Sequence, residues 1–291
     1  MNIHFIQPCG FCHGVKKVLE KTQKIIDDYP SANIYLIGNV VHNKLVCDEL
    51  LKNKNVHILD NKEHDRLALL KSIKTENNVI IFSAHGTDPK AITYAETKGW
   101  TIYDLTCPYV LNILSKITYA INHGYHVAYY GDKNHPEAIA AKATGGNNLT
   151  VYKTKEDLKK VLDMPYVQVL CQSTMNRNDF HKTRPWFTEP AIIKFSDTLC
   201  QSSKQRQSAI EEMKPYDIVF VLSDKDSHNG KELYQMIKAK QNNVIFVDPL
   251  SYKLDKKILA NKKDCAIASS SSVSQEQIDK FVNQIKDLVQ V

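Results

Sequence analysis

Glycine and proline are scarce in this chain, ten of each in 291 residues, and only two tryptophans occur. That scarcity excludes collagen-like, linker-like and low-complexity classes; Ser269–Ser272 is the one biased stretch. No apolar run approaches the ~18 residues of a membrane-spanning helix, and the mean hydropathy is −0.36. The N-terminus shows neither a basic segment nor an apolar leader core and runs straight into Asn2-Ile3-His4-Phe5-Ile6. A cytoplasmic protein without membrane association is expected. There is no GxxxxGK[ST] loop for a nucleotide and no strand-borne GxGxxG for a nicotinamide cofactor. Dense Lys/Arg blocks are absent despite a net charge of +6, so no nucleic-acid partner is expected. A mild positive field suits small anionic substrates and an acidic electron-transfer partner.

What is present is a phased set of cysteines. The chain has seven, an odd number, which in a reducing compartment favours metal or catalytic roles over a disulfide framework. Cys12, Cys107 and Cys200 lie 95 and 93 residues apart, close to a third of the length. Each follows an apolar, strand-like run and opens a helix-like run. His42, His135 and His228 repeat at a step of 93. Self-similarity at a fixed period marks a repeat architecture.

Apolar runs alternate with amphipathic runs of 10–15 residues throughout, the pattern of parallel sheets in α/β lobes. The expected fold is α/β, with three pseudo-repeated lobes of mostly parallel sheet in a trefoil around a central cavity. The lobes are expected at residues 13–106, 107–199 and 200–291, with residues 1–12 contributing a strand. No Pro/Gly/Ser linker separates them, so they should pack directly. Among the helices expected are ones over His13 onward, RLALLKSI, EDLKKVLD, ILANKKD and QEQIDKFVNQIKDLV.

Ligands in such sheets bind beyond the carboxyl ends of the strands. Each lobe offers three polar strand tips. The cysteines are the first. The second are His42, His135 with Glu137, and Ser227-His228-Asn229. The third are Ser83-Ala84-His85-Gly86, Gln172-Ser173-Thr174 and Ser269–Ser272, with Ser272 in the phased position. Nine such tips are expected to converge on one cavity.

A single cysteine is usually a small buried apolar residue, and Cys47, Cys171 and Cys265, inside apolar runs, are read that way. The phased trio is read as ligands. No second Cys-x-x-Cys and no His-x3–5-His accompany it, which does not match common zinc sites. Three thiolates suit a [4Fe–4S] cluster with one iron open to substrate, and a helix N-terminus favours a thiolate. Cys9-Gly-Phe-Cys12 also forms a CxxC, the basis of a weaker thiol-oxidoreductase alternative. A lone histidine at a strand end is more often packed or solvated than functional; three at one period weigh the other way. Glu137 is the candidate proton donor, since burial beside a cluster raises a carboxyl pKa. A helix-dipole glutamate after Pro136 explains it equally well. His4, His13, His57, His64, His123, His126 and His181 have no phased partners and are read as structural.

Together these segments resemble the 4-hydroxy-3-methylbut-2-enyl diphosphate reductase family, the LytB/IspH iron–sulfur enzymes. The resemblance rests on Gly10-Phe11-Cys12-His13-Gly14-Val15, Val41-His42-Asn43, Ser83-Ala84-His85-Gly86 and Asp104-Leu105-Thr106-Cys107-Pro108. It continues in His135-Pro136-Glu137, Gln172-Ser173-Thr174, Asp197-Thr198-Leu199-Cys200 with Arg206-Gln207, and Ser227-His228-Asn229. It runs from about residue 3 to residue 285, and the order and spacing of these short motifs make it specific.

The resemblance implies an oxidoreductase at the last step of the methylerythritol phosphate pathway of isoprenoid synthesis. Two-electron reduction removes the allylic hydroxyl and gives isopentenyl and dimethylallyl diphosphate. It implies that Cys12, Cys107 and Cys200 ligate the [4Fe–4S] cluster, whose open iron binds the substrate oxygen. Glu137 would deliver protons through Ser173. His42, His85, Ser227, His228, Asn229 and Ser272 would hold the diphosphate, and His135, Gln172 and Thr174 would serve the reacting end. Reduced ferredoxin or flavodoxin is the implied electron donor.

The sequence departs from the family pattern at four points. Cys9 stands where a basic residue is usual, Ser173 where threonine is, and His228 where serine is. The final tip reads Ala-Ser-Ser-Ser-Ser where Thr-Ala-Gly-Ala-Ser is usual. These departures support an alternative, a divergent paralogue using the same cluster on another small anionic substrate. A non-catalytic protein holding a structural or sensing metal is a further alternative.

Overall fold

A computed structural model describes residues 1–61, 65–187 and 191–290. Among these residues are twelve strands: β1 (Asn2–Phe5), β2 (Asn33–Ile37), β3 (Val56–Leu59), β4 (Asn78–Phe82), β5 (Thr101–Asp104), β6 (His126–Tyr130), β7 (Leu149–Tyr152), β8 (Tyr166–Cys171), β9 (Ile192–Phe195), β10 (Ile218–Leu222), β11 (Val244–Val247) and β12 (Asp264–Ser269). They form three four-stranded sheets of order β3-β2-β4-β5, β7-β6-β8-β9 and β11-β10-β12-β1. Every pairing is parallel. The three α/β lobes expected from the repeat are therefore present. Within each lobe the order runs second, first, third, fourth. In the third sheet the fourth place is taken by the N-terminal strand β1, Asn2 pairing with Asp264 and Phe5 with Ile267.

The apolar runs explain which strands are central. β4 (NVIIF) and β10 (IVFVL) are buried along all five residues, as a parallel strand covered on both faces requires. The edge strands β1, β5 and β9 are only partly buried. Every cysteine of the phased trio follows one of these edge strands.

Contacts divide the chain into two compact units, one of Met1–Lys16, His42–Leu45 and Cys200–Val291, the other of Lys17–Val41 and Val46–Leu199. In the first unit the third sheet separates two apolar layers. Ile218, Phe220, Leu222 and Ile267 face Ile278, Phe281 and Ile285 of the helix Gln275–Gln290. Val219, Val221 and Ala266 face Ile210, Leu233 and Ile237. Alternate residues of one strand thus feed opposite layers, the period-2 rule of a sheet. In the second unit, β2 and β4 pack against Leu70, Ala91 and Ala95. β6 packs against Ile113, Ile117, Ala138 and Ala141.

The helix starts are chemically defined. Pro89, Pro108 and Pro136 occupy first turns, where a missing N–H costs nothing. Cys107, His135, Cys200 and Ser227 are all N-cap residues. The same positions that end the strands and begin the helices carry the candidate chemistry.

Three expectations need correction. ILANKKD is not a helix: the short helix Lys256–Leu259 ends inside it, and Asn261 follows with φ +60. EDLKKVLD forms a 3-10 turn at Glu156–Leu158 and then irregular turns, because Asp157 bonds back to the N–H groups of Lys153 and Thr154 at 2.9 Å each. A helix not foreseen, Arg177–Lys182, is started by Asn176, whose side chain accepts from Asn178 and Asp179 N–H. His64 lies outside the described residues. No helix among the described residues is long and apolar enough to cross a membrane.

Candidate active site

Two residues from different strand tips meet most closely at Glu137. The helix Pro136–Gly145 places Glu137 in its first turn, but the side chain is 1% exposed. It is not a solvated dipole partner. Oε1 accepts from the Ser173 N–H at 2.7 Å and from the Tyr129 hydroxyl at 2.8 Å. Ser173 Oγ lies 2.6 Å from Oε2. Burial raises the carboxyl pKa against the opposing pull of the Ser173 and Tyr129 bonds. Tyr129 is itself pushed well above the usual phenol range by burial and then by Glu137. Because a backbone N–H can only donate, Oε1 must accept, so a proton taken up by the carboxyl belongs on Oε2, facing Ser173 Oγ.

The neighbouring tips hold this pair in place. His135 caps its own helix, Nδ1 accepting from Glu137 N–H at 3.2 Å. The neutral ring therefore carries its proton on Nε2. The His85 ring stands edge-on to His135 with centroids 5.5 Å apart. Gly86 has φ +86, and an added Cβ would come 3.1 Å from Ala140 Cβ and 3.2 Å from Val110 and Leu114. Gln172 is fully buried. Its Oε1 accepts from Asp132 N–H at 3.1 Å and its Nε2 donates to Thr174 Oγ1 at 3.0 Å, so it braces the turn leading to His135.

Cys107 is the N-cap of Pro108–Asn122, and its N–H donates to Ala84 O at 2.9 Å, next to His85. Behind this tip lies Arg66, 7% exposed. Its Nη2 donates to Ser83 Oγ at 2.7 Å, and its Nη1 bonds Thr87 Oγ1. Burial lowers the guanidinium pKa to about 10 against the attraction of Asp104 and Asp60.

The other unit carries Cys12, Cys200 and the remaining tips. Cys12 Sγ accepts from Val15 N–H at 3.4 Å and Cys200 Sγ from Ser203 N–H at 3.3 Å. Both thiols thus receive a donor from the first turn of the helix that follows. Gly10 has φ +81 and gives its N–H to Ser269 Oγ at 2.7 Å. Ser227 caps His228–Lys240 by accepting from Gly230 N–H. Asn229 joins two tips, donating to Ser203 Oγ at 3.3 Å and accepting from Ser271 N–H at 3.2 Å. Ser272 Oγ lies 3.1 Å from Ser270 Oγ. Its carbonyl accepts from Asn43 Nδ2 at 2.7 Å, which ties the segment after His42 to the last tip. His228 is buried, with Nε2 3.6 Å from Glu232 Oε1.

The remaining cysteines separate from the trio. Cys47, Cys171 and Cys265 are buried while Cys12, Cys107 and Cys200 are partly accessible. Burial drives the Cys171 thiol up to about 12 and the Cys265 thiol to about 11. Cys9 packs against the core of the third sheet. Its Sγ donates to Ile6 O at 3.3 Å and Ile267 O at 3.6 Å. Burial raises its pKa too, the opposite of a reactive thiol. Each of Cys12, Cys107 and Cys200 is a partly accessible thiol at the start of a helix, the chemistry an iron–sulfur ligand needs.

Sequence reasoning gave no role to Tyr129, Arg66, Asn43 or Arg206. Asn43 and Arg206 did carry a signal, as members of the motifs Val41-His42-Asn43 and Asp197-Thr198-Leu199-Cys200 with Arg206-Gln207; Tyr129 and Arg66 carried none.

Three parallel α/β lobes, cysteines at strand-to-helix junctions and a buried carboxyl of raised pKa are consistent with an oxidoreductase. The LytB protein family model matches residues 3–286, and the chain belongs to the LytB family. It is 34% identical over 250 residues to a 4-hydroxy-3-methylbut-2-enyl diphosphate reductase of Malacoplasma penetrans, covering 83% of each chain. A reductase of the same name from Dictyoglomus thermophilum is 27% identical over 295 residues, covering 99% of this chain and 97% of that one. In fold the chain resembles the solved E-1-hydroxy-2-methyl-but-2-enyl-4-diphosphate reductase from Plasmodium falciparum. The TM-score is 0.85 at 23% identity, with 97% of this chain and 86% of that one covered.

Proposed function

We propose that this chain reduces 4-hydroxy-3-methylbut-2-enyl diphosphate to isopentenyl and dimethylallyl diphosphate, the last step of the methylerythritol phosphate route. The observation that carries the proposal is Glu137, a buried carboxyl of raised pKa whose Oε2 lies 2.6 Å from Ser173 Oγ. The reaction consumes two electrons and two protons. The allylic C–O bond breaks, a C–H bond forms, and the hydroxyl leaves as water.

Cys12, Cys107 and Cys200 would hold a [4Fe–4S] cluster with one open iron. When bound, the cluster supplies the electrons and a Lewis-acidic iron for the hydroxyl oxygen. Reduced ferredoxin or flavodoxin would supply those electrons, in a cytoplasmic setting that keeps the thiols reduced. Glu137 holds the proton at Oε2 and passes it through Ser173 Oγ. His135, with its proton on Nε2, donates to the reacting end, and Thr174 and Gln172 keep this network in register. His42, His85, Ser227, His228, Asn229 and Ser272 bind the diphosphate. The N-terminus of His228–Lys240 adds the partial positive charge suited to an anion.

The test is anaerobic turnover with the allylic diphosphate and a chemical reductant. Water release with formation of the two C5 diphosphates is expected. Binding without product would instead favour a paralogue with another anionic substrate, for which the buried His228, 3.6 Å from the partly buried Glu232, is the distinguishing feature.

A further inference from the structure

Arg206 lies in the helix Gln201–Glu212, which Cys200 opens, and is 3% exposed. Its guanidinium reaches three segments that are far apart in sequence. Nη2 donates to Gly10 O at 2.5 Å, two residues before Cys12. Nε donates to Ser269 O at 3.1 Å, at the tip of β12. Nη1 bonds the Ser202 hydroxyl and lies 3.5 Å from Ser202 O. All of these acceptors are neutral.

A buried cation without a charged partner is expensive, and neutral carbonyls offset only part of that cost. Among the described residues no carboxylate pairs with Arg206. Burial lowers its pKa, and the groups that oppose this are Cys12, then Cys9 and Cys200. Cys9 is turned into the core, bonded to Ile6 and Ile267 carbonyls. The helix that carries Arg206 opens at Cys200, and its Gly10 contact lies two residues before Cys12, so the buried charge sits between the segments that bear both cysteines.

We propose that Arg206 is the positioning residue of the cluster site, a buried guanidinium that ties together the segments bearing Cys12 and Cys200 and adds a fixed positive charge there. This rests on the cluster assignment above. Reduction adds one electron to the cluster, so a fixed cation in low dielectric favours the reduced form. Outer partners that orient metal ligands matter about 10–100-fold for metal retention.

The experiment compares wild type, Arg206→Gln and Arg206→Lys, each reconstituted anaerobically with iron and sulfide. Iron release to a chelator and the reduction potential of the cluster are measured, with thermal melting as a control for folding. Arg206→Gln should lose iron roughly tenfold faster and shift the potential to more negative values. Arg206→Lys keeps the charge but not the three-way bonding. It should keep the potential near wild type while losing iron faster. If Arg206→Gln does not fold, Arg206→Lys decides the positioning role, and wild-type iron release in that variant overturns it. Unchanged potential and iron release in Arg206→Gln overturn the inference while leaving the cluster intact. A wild-type protein that binds no cluster defeats the cluster assignment itself, and the inference with it.

Discussion

Ser173 touches Glu137 twice: its N–H donates to Oε1 at 2.7 Å and its hydroxyl lies 2.6 Å from Oε2. The backbone contact fixes which oxygen accepts. The hydroxyl contact is therefore the one that can carry a proton in either direction. Tyr129 adds a second donor on Oε1, which leaves Oε2 for the proton.

Replacing Glu137 by glutamine removes the proton donor but keeps the shape and most of the bonding. Turnover should fall by about 10²–10⁴-fold, the usual weight of a positioned acid, with iron content unchanged. Stability should respond in the opposite sense. The folded carboxyl is held above its ordinary value by burial, so over that window the unfolded chain binds fewer protons. Stability of the wild type then falls as pH rises from the ordinary carboxylate range near ~4.3 through the folded value, and levels off above it. Melting temperatures across this range should move in favour of Glu137→Gln as pH rises. A difference that does not depend on pH would contradict the protonated carboxyl.

Ser173→Thr keeps a hydroxyl on Oε2 and should retain turnover, whereas Ser173→Ala should not. Alanine still offers the N–H to Oε1, so the fold loses only one contact, about 1–3 kcal/mol if Oε2 is left unsatisfied. Steady-state kinetics on the two variants should show the loss in kcat rather than KM. Equal activity in both would remove Ser173 from the proton route.

Gly86→Ala tests how tightly the His85 tip is held. At φ +86 with three side chains within 3.2 Å of the new Cβ, it should cost roughly 1–2 kcal/mol from the left-handed backbone alone. His85 should shift from its edge-on contact with His135 and weaken substrate binding. Urea unfolding and KM check both effects; a wild-type KM would detach His85 from the substrate.

Arg66→Met leaves Ser83 and Thr87 without their buried donor and should destabilise the protein by about 1–3 kcal/mol. Lys182→Ala, which breaks a pair with Asp179 between side chains 74% and 49% exposed, should change stability by about 0–1 kcal/mol. Chemical denaturation of the two side by side checks the contrast.

The lobes were legible because each repeats one sequence pattern: apolar run, cysteine, helix. Local chemistry also exposed the N-caps, since Cys107, His135, Cys200 and Ser227 sit at those junctions. What stayed hidden is long-range. A strand from residues 1–12 was expected, but not its register, Asn2 against Asp264 and Phe5 against Ile267, and Arg206 reaches Gly10 across 196 residues. No periodicity records such a contact. Arg66 was only the first residue of the helix RLALLKSI, and nothing in that run records its buried bonds to Ser83 and Thr87. EDLKKVLD had helical composition, but the Asp157 side chain captured backbone donors that a helix would need elsewhere.

The most direct test of the account is an anaerobic count of iron and sulfide in the wild type, in Cys107→Ser and in Cys171→Ser, with absorption and paramagnetic spectra before and after adding the allylic diphosphate. The account predicts a [4Fe–4S] signal that responds to the substrate in the wild type and in Cys171→Ser, and a cluster lost or degraded in Cys107→Ser. A cluster that survives Cys107→Ser unchanged, or zinc in place of iron, would contradict it.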